Sequence, residues 1–300
     1  MSNITELIKE LRSKSGAGFL DCKNALSENN NDIEKANEYL RKKGLAKASK
    51  KSSREAKEGA VGIYESKELV VLIRINSETD FAAKSETFLS FLDDLGQFAL
   101  SLSKPGIKKE DFLNLKYNEN TVSDYFKSMI SKIGENLVLN DLQIIDVNNL
   151  NYSFYVHNSY KKNIGKIISL ILFEADKVND FINTLSKNIC MHIAAMKPDS
   201  LDIDDLDKDK IQKEKDIQKE LILNSGKPSA IVDKILEGKM NKYYSEVTLL
   251  NQSFILDPDK NVKSIIEEQG KENKFKIKSF IFVSLSWYTK EFCLKSQVNH

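Results

Sequence analysis

The chain has 300 residues, of which 41% are hydrophobic and 30% charged, and its formal net charge at pH 7 is only +1. A length prior of about 150 residues per domain predicts roughly two compact units. The nearly even balance of 45 basic and 44 acidic residues argues against a protein whose whole surface binds nucleic acid.

The few cysteines and histidines argue against a disulfide framework and against a zinc site. The cysteines, Cys22, Cys190 and Cys293, are odd in number and far apart. The first eleven residues resemble an amphipathic helix with acids in it rather than a signal peptide. The longest apolar stretch, 167–173, falls far short of the ~18 residues that a membrane span needs. We therefore expect a cytoplasmic protein that neither enters a membrane nor carries a metal or another cofactor.

The first 44 residues are predicted to form three short helices, because apolar residues recur at helical spacing. These residues are Ile4, Leu7, Ile8 and Leu11 in the first helix, Phe19, Cys22, Ala25 and Leu26 in the second, and Ile33, Ala36 and Leu40 in the third. We expect the third helix to stop at Gly44. Together the helices would make a minimal bundle.

A basic segment follows, with eight Lys or Arg residues and one Glu between residues 41 and 57. It is either a phosphate-binding arm or a solvated, partly helical linker. The second interpretation is favoured because no aromatic side chains are interleaved to stack on bases.

From about residue 60 the hydrophobic period changes, which predicts strands. Segments 61–64 and 69–75 form a hairpin that turns near Ser66 and Lys67. A long helix with an apolar stripe from Phe88 to Leu102 and a second helix around residues 125–133 follow. Further strands are expected at 137–146, 153–157, 166–174 and 275–285, with helices at 178–196 and 262–267. This pattern is typical of a two-layer α+β fold.

Residues 199–245 predict an antiparallel helical hairpin whose first helix is mostly polar and whose turn contains Gly226 and Pro228. The acidic residues between Asp199 and Asp207 are expected to form a solvated first turn at the start of this helix rather than to mimic nucleic acid. The chain has no glycine-rich phosphate loop and no nucleophile or zinc-protease motif, and its histidines His157 and His192 lie in unrelated segments. We therefore expect a protein that is not an enzyme.

Two long stretches carry a resemblance to a known family. Residues 11–26 read Leu-Arg-Ser-Lys-Ser-Gly-Ala-Gly-Phe-Leu-Asp-Cys-Lys-Asn-Ala-Leu, and residues 75–84 read Ile-Asn-Ser-Glu-Thr-Asp-Phe-Ala-Ala-Lys. Both resemble signatures of the elongation factor Ts family. Weaker similarities at 191–198, 225–228 and 252–258 extend the resemblance over about residues 3–281.

The resemblance implies a domain organisation that agrees with the pattern. It implies a three-helix domain like the ubiquitin-associated domain, with its basic linker, at 1–55. An α+β core of two subdomains with antiparallel sheets follows at 56–146 and 147–300. The helical hairpin, a coiled coil, is inserted at about 200–245. Residues 282–300 no longer resemble the family and form a divergent tail.

The resemblance also implies a function, namely guanine-nucleotide exchange on elongation factor Tu. The chain would bind this partner in both its GDP-bound and its nucleotide-free state. In the family a Thr-Asp-Phe loop enters the partner's GTPase domain, displaces groups around Mg²⁺ and loosens the phosphate loop. That loop corresponds to Thr79, Asp80, Phe81 and Ala82. Further partner contacts would come from Phe19 and Leu20, from His157, and from Ile255 and Leu256. Direct binding of nucleic acid is not expected.

Other interpretations of the same residues stay open at this point. Thr79 or Asp80 could cap a helix beside a core Phe81, and Phe19 and Leu20 could belong to the core of the bundle. The chain could instead be a nucleic-acid- or ribosome-binding module that uses residues 41–57, or a helical-hairpin scaffold. Arg74 and Ala82 depart from the family, which usually has Glu and Val there. We expect Ala82 to shrink the apolar patch beside Phe81.

Overall fold

The computed structural model describes residues 4–15, 17–225, 228–285 and 290–292. The chain separates into two compact units. The first unit contains the described residues up to Asp146 together with Ser159–Lys166. The second contains Val147–Asn158 and the described residues from Ile167 onward. In the part of the chain so described, no helix has the length and apolar character needed to cross a membrane.

The first unit begins with three helices, α1 (Ile4–Ser15), α2 (Phe19–Glu28) and α3 (Ile33–Lys51), which confirms the predicted helical bundle. Side chains from all three fill one small core: Ile8, Leu11, Cys22, Ala25, Leu26, Ala36 and Leu40. Phe19 is not part of this core, because its side chain is 49% exposed. Its predicted place on the buried face of α2 is therefore wrong.

Helix α3 does not stop at Gly44, as the sequence predicts, but continues to Lys51. Gly44 instead lies where α3 approaches α7 (Val122–Ile133), and a Cβ atom there would be 2.8 Å from Ser131 Oγ. Glycine allows this close approach of two helices because it has no side chain. The first part of the basic segment is consequently helical.

The sheet of the first unit is antiparallel and is covered by helices. The predicted hairpin is confirmed as β1 (Glu58–Glu65) and β2 (Leu69–Ser77), closed by the hydrogen bond from Ser66 N to Leu69 O at 2.8 Å. The remaining elements of the unit, up to β5, are α4 (Asp80–Lys84), α5 (Glu86–Ser101), α6 (Lys109–Asn114), β3 (Lys116–Tyr117), β4 (Asn120–Thr121), α7 and β5 (Leu137–Asp146). Strand β5 pairs with the other edge of β2. Every residue of β2 is buried, which is why its sequence reads as a nearly continuous apolar run.

The second unit is also α+β, so the predicted fold class is confirmed. Its larger elements are β6 (Asn151–Lys161) and β7 (Ile164–Glu174), apart from their residues within Ser159–Lys166, which belong to the first unit, and α8 (Asp180–Met196), α11 (Val262–Gln269), β10 (Lys276–Ser284) and β11 (Lys290–Phe292). Strand β7 pairs with β6 and antiparallel with β10, and β11 pairs antiparallel with β10. The first residues of the divergent tail, 282–284, therefore complete β10, while 286–289 and 293–300 lie outside the described residues.

The predicted helical hairpin is present as α9 (Lys208–Asn224) and α10 (Ser229–Val247). It buries an apolar cluster of its own: Ile222, Val232, Leu236 and Met240. The rest of α9 is mostly exposed, as its polar sequence indicates. Asp207 caps α9 by accepting hydrogen bonds from the N–H groups of Asp209 and Lys210. The predicted turn residues Gly226 and Lys227 lie outside the described residues.

Candidate interaction loop

The Thr-Asp-Phe segment lies where β2 ends and a helix of five residues, α4, begins: Thr79 precedes the helix, and Asp80 and Phe81 are its first two residues. Thr79 is the N-cap of this helix: its backbone is extended, and its Oγ1 accepts a hydrogen bond from Ala82 N at 3.2 Å. Ser85 ends α4 and caps α5 through a 3.2 Å bond from Phe88 N. The single long helix that the apolar pattern predicts is thus preceded by a separate turn of helix that carries the loop.

Two carboxylates fasten the loop to the turn that precedes β5. Glu135 accepts hydrogen bonds from Thr79 N at 2.9 Å and from Thr79 Oγ1 at 2.6 Å. In the opposite direction, Glu78 accepts a bond from Asn136 N at 2.7 Å. Hydrogen bonds to charged acceptors are stronger than neutral ones. The base of the loop is therefore held at Glu78 and at Thr79.

Phe81 projects from this fixed base with 84% of its side chain exposed. A core position for Phe81, which the sequence alone leaves open, is therefore wrong, although Thr79 does cap a helix. Ala82 is only 8% exposed and Ala83 is fully buried. Ala82 consequently contributes almost no surface beside Phe81, and the expectation that its small size reduces an exposed patch is not supported by its position.

Asp80 is held by a cation of its own helix. Lys84 Nζ lies 2.7 Å from Asp80 Oδ2, an i,i+4 pair on a helix surface. The hydrogen bond from Lys84 lowers the pKa of Asp80 below its ordinary value, and the same bond raises the pKa of Lys84. Asp80 is therefore a carboxylate at neutral pH, and it is partly exposed next to Phe81 in the chain.

A second apolar pair is exposed in the first unit. Phe19 and Leu20 open α2 and are 49% and 70% exposed, while Cys22 behind them is buried. The interpretation that places this pair in the core of the bundle is thus contradicted by the exposure of both side chains.

In the second unit, Ile255 and Leu256 form the two-residue loop between the short strands β8 (Ser253–Phe254) and β9 (Asp257–Asn261). Leu256 is 56% exposed. His157 lies on β6, and its Nδ1 is 3.3 Å from the hydroxyl of Tyr155. The structure thus places Thr79–Ala82, Phe19 and Leu20 in the first unit, and His157, Ile255 and Leu256 in the second.

The Ile255–Leu256 loop is supported by a buried histidine. His192 Nδ1 accepts a hydrogen bond from Ile255 N at 3.3 Å, and Nε2 lies 3.0 Å from Gln252 Oε1. Because Nδ1 is an acceptor, the ring is neutral and Nε2 donates to Gln252. Burial lowers the pKa of His192 below its ordinary value of 6.5. Protonation would remove the acceptor that holds the loop.

This arrangement predicts a pH-dependent stability. The unfolded chain binds a proton at His192 at a higher pH than the folded protein does, so the free energy of unfolding should fall as the pH drops below about 6.5. The slope from this one group should reach up to about 1.4 kcal/mol per pH unit. We expect His192→Asn to be less stable at pH 8 but to lose less stability between pH 7.5 and pH 5.5. Denaturant unfolding of both proteins at several pH values measures this, and equal slopes would contradict it.

Comparison with known proteins shows which family the chain resembles. A family model described as "Elongation factor TS" matches residues 78–286. Elongation factor Ts of Rhodospirillum centenum is 39% identical over 265 residues, covering 88% of this chain and 86% of that protein. Elongation factor Ts of Clostridium botulinum is 40% identical over 279 residues, covering 92% and 90% of the two chains. That of Ehrlichia canis is 39% identical over 266 residues, covering 88% and 92%.

The chain belongs to the elongation factor Ts family. The family model begins at Glu78, the residue whose carboxylate helps to fasten the loop.

In this member of the elongation factor Ts family, the basic segment is engaged with its own unit. Arg41 donates to the side chain of Asn120, and Lys51 donates to the carbonyl of Gly134. Arg54 forms an ion pair with Glu78 at 3.4 Å. These contacts favour the partly helical linker over a free phosphate-binding arm, but the predicted solvated state does not hold for Arg41, Lys51 and Arg54.

The sequence did not single out the residues that hold the loop in place. Glu135 is 56 positions from Thr79 along the chain, so no local pattern connects them. Lys84 could have been found, because Asp and Lys four positions apart on a helix predict an ion pair. Among the described residues, no group of three or more His, Cys, Asp or Glu side chains is arranged to hold a metal ion.

Proposed function

We propose that this chain is a guanine-nucleotide exchange factor for elongation factor Tu and that it binds that partner in its GDP-bound and nucleotide-free states. Membership of the elongation factor Ts family supports the choice of partner. The observation that carries the mechanism is Phe81, an aromatic side chain that is 84% exposed on a base held by charged hydrogen bonds. Phe81 is the most exposed large apolar side chain among the described residues, and burying it against a partner would remove that apolar surface from water.

The proposed mechanism is differential binding. A nanomolar GDP site corresponds to about 12 kcal/mol of binding free energy, so spontaneous release is slow. A factor that binds the nucleotide-free state more tightly weakens GDP binding by the same amount that GDP weakens its own. The factor therefore accelerates release without changing the overall equilibrium, and no bond of the nucleotide is broken.

Phe81 and Asp80 would act together in this mechanism. Burial of a Phe side chain contributes about 1.5–3 kcal/mol, which Phe81 would gain by inserting into the partner's GTPase domain. Asp80 would compete for positive charge near the Mg²⁺ and phosphate site of the partner. Because Thr79 and Glu78 already fix the loop, little conformational entropy is lost when it inserts.

The other exposed apolar residues would supply docking surfaces. We propose that Phe19 and Leu20, within a helical domain and linker at 1–55, contact the GTPase domain. His157 would contact the partner from the second subdomain, at 147–300, as would Ile255 and Leu256. Ala82 would support the inserted loop from its buried position. Binding to elongation factor Tu implies a cytoplasmic protein.

The test of this function is the release of labelled GDP from elongation factor Tu in the presence of Mg²⁺, with and without the chain. We expect substoichiometric amounts of the chain to accelerate release by at least tenfold. An unrelated folded protein at the same concentration serves as the control. Release at the intrinsic rate at every concentration of the chain would contradict the proposed function.

We expect the helical hairpin to be dispensable for GDP release. Its apolar cluster is self-contained, and its base is closed by bonds from Asp199 N and Ser200 N to Val247 O and from Leu249 N to Ser200 O. Replacing residues 208–243 with a short Gly-Ser linker should therefore leave the remainder folded, and GDP release should stay within about threefold of wild type. Loss of exchange to background by a variant that melts normally would show that the hairpin belongs to the exchange surface.

A further inference from the structure

The proposed mechanism makes no use of Lys84, although this side chain lies on the interaction loop. Lys84 and Asp80 are the last and first residues of α4, and their charged atoms are 2.7 Å apart. Both side chains are partly exposed. In the free protein, the carboxylate that the mechanism assigns to the partner is therefore already bound by a cation of the same chain.

A second ion pair and a buried hydroxyl of the same unit act electrostatically on the first pair. Lys166 on β7 is 3.2 Å from Glu58 on β1. The Tyr160 side chain packs against the core of the first unit. Its hydroxyl oxygen is buried, and it has no hydrogen-bond partner among the residues that the structure describes. Buried hydroxyl groups are nearly always hydrogen-bonded, so this one requires an explanation.

The charges of both ion pairs act on the Tyr160 hydroxyl. Burial raises the pKa of Tyr160 above its ordinary value. Four charged groups also act on that pKa: Lys166 and Lys84, which lower it, and Glu58 and Asp80, which raise it. The Tyr160 hydroxyl is therefore within electrostatic range of the Lys84 ammonium group, although the two are not hydrogen-bonded.

We propose that Lys84 competes with the partner for Asp80 and that the Tyr160 hydroxyl accepts the Lys84 ammonium group when the partner takes Asp80. This inference rests on the proposed function, because it assumes that Asp80 engages the partner. A lysine that loses its carboxylate needs a new acceptor, and the oxygen of Tyr160 is one that is not yet used. Lys84 and Tyr160 are thus positioning residues, which set how readily Asp80 becomes available.

The first test removes the competitor. Lys84→Met keeps most of the aliphatic stem and removes the charge. At low salt and limiting concentration of the chain, it should accelerate GDP release by about two- to fivefold over wild type, the range expected for an exposed ion pair. The ratio of the two rates should approach one at about 1 M salt, where the screening length is roughly 3 Å.

The matched control is Lys127→Met. Lys127 pairs with Asp124 at 3.0 Å on α7 and is exposed to a similar degree, but it has no place in the proposed mechanism. Its rate should equal that of wild type at every salt concentration. Melting curves of both variants ensure that equal amounts of folded protein are compared.

The second test addresses the acceptor and the target. Tyr160→Phe removes only the hydroxyl group and should slow GDP release by about two- to fivefold in the wild-type chain, the range expected for one hydrogen bond. It should have no effect in the Lys84→Met background. In an Asp80→Asn background, Lys84→Met should likewise have no effect, because the carboxylate for which Lys84 and the partner compete is absent.

The outcomes separate the two proposals. A wild-type chain that fails to accelerate GDP release overturns the proposed function. If the wild-type chain is active but Lys84→Met releases GDP no faster than wild type, the proposed competition is wrong and the proposed function stands. The same holds if Tyr160→Phe has an equal effect in the wild-type and Lys84→Met chains. A faster Lys84→Met variant whose advantage disappears with Asp80→Asn and with salt supports it.

Discussion

Substituting Phe81→Ala should slow chain-stimulated GDP release by at least tenfold while leaving the free energy of unfolding within about 0.5 kcal/mol of wild type. A core phenylalanine would cost about 3–5 kcal/mol of stability when truncated, but Phe81 is 84% exposed in the free protein. Loss of about 1.4 kcal/mol of coupling between the chain and the nucleotide is enough for a tenfold effect. A melting curve and a GDP-release assay on the same variant measure the two quantities.

Phe181 provides a matched control for this substitution. It follows an aspartate at the second position of a helix, as Phe81 does, and about half of its side chain is exposed. We expect Phe181→Ala to exchange GDP at the wild-type rate. Equal losses in the two variants would indicate a general effect of surface aromatic residues, and a large loss of stability in Phe81→Ala with near-normal exchange would assign Phe81 to the core.

The largest effect on stability should come from Gly96→Ala in α5. A Cβ atom there would lie 2.0 Å from Cε2 of the Tyr64 ring, which is buried and donates a 3.0 Å hydrogen bond to Asp93. Overpacking of this kind costs typically 1–3 kcal/mol, which exceeds the roughly 1 kcal/mol gained from the higher helix propensity of alanine. The variant should therefore be less stable in denaturant unfolding.

Gly238 is the matched control for Gly96. It also lies inside a helix, α10, but a Cβ atom there would meet no other atom within 4 Å. Gly238→Ala should therefore stabilise the protein by up to about 1 kcal/mol. A stabilising Gly96→Ala would contradict the packing of Tyr64 against this helix.

Much of the fold could be predicted because local periodicity determines the type of each element. The nearly continuous apolar run at 69–75 and the helical stripe from Phe88 onward both appear in the structure, within a few residues of the expected limits. Gly44 could not be interpreted in this way, since its role depends on Ser131 of a helix that is distant in sequence. A glycine inside an apolar pattern fits both a helix end and a close helix contact.

The sequence correctly predicts a strand-to-helix junction at residues 79–81, but which side chains are exposed there could not be assigned from sequence. Phe81 and Ala82 are adjacent and both apolar, yet the first is exposed and the second is buried. The difference comes from the rotation of α4, which Thr79 and Glu135 fix through bonds that span 56 positions. Phe19 was assigned to a buried face for the same reason, because spacing alone does not show where that face ends.

The most direct test of the account places a photo-crosslinking residue, p-benzoylphenylalanine, at position 81 of the otherwise unchanged chain. If the Phe81 loop inserts as proposed, crosslinks should form to the GTPase domain of elongation factor Tu, near its Mg²⁺ and phosphate site, with a yield that falls as Mg²⁺ and GDP are added. The same residue at position 181 should give no such product. Crosslinks from position 81 to another domain of the partner, or a yield that Mg²⁺ and GDP leave unchanged, would contradict insertion of the Phe81 loop.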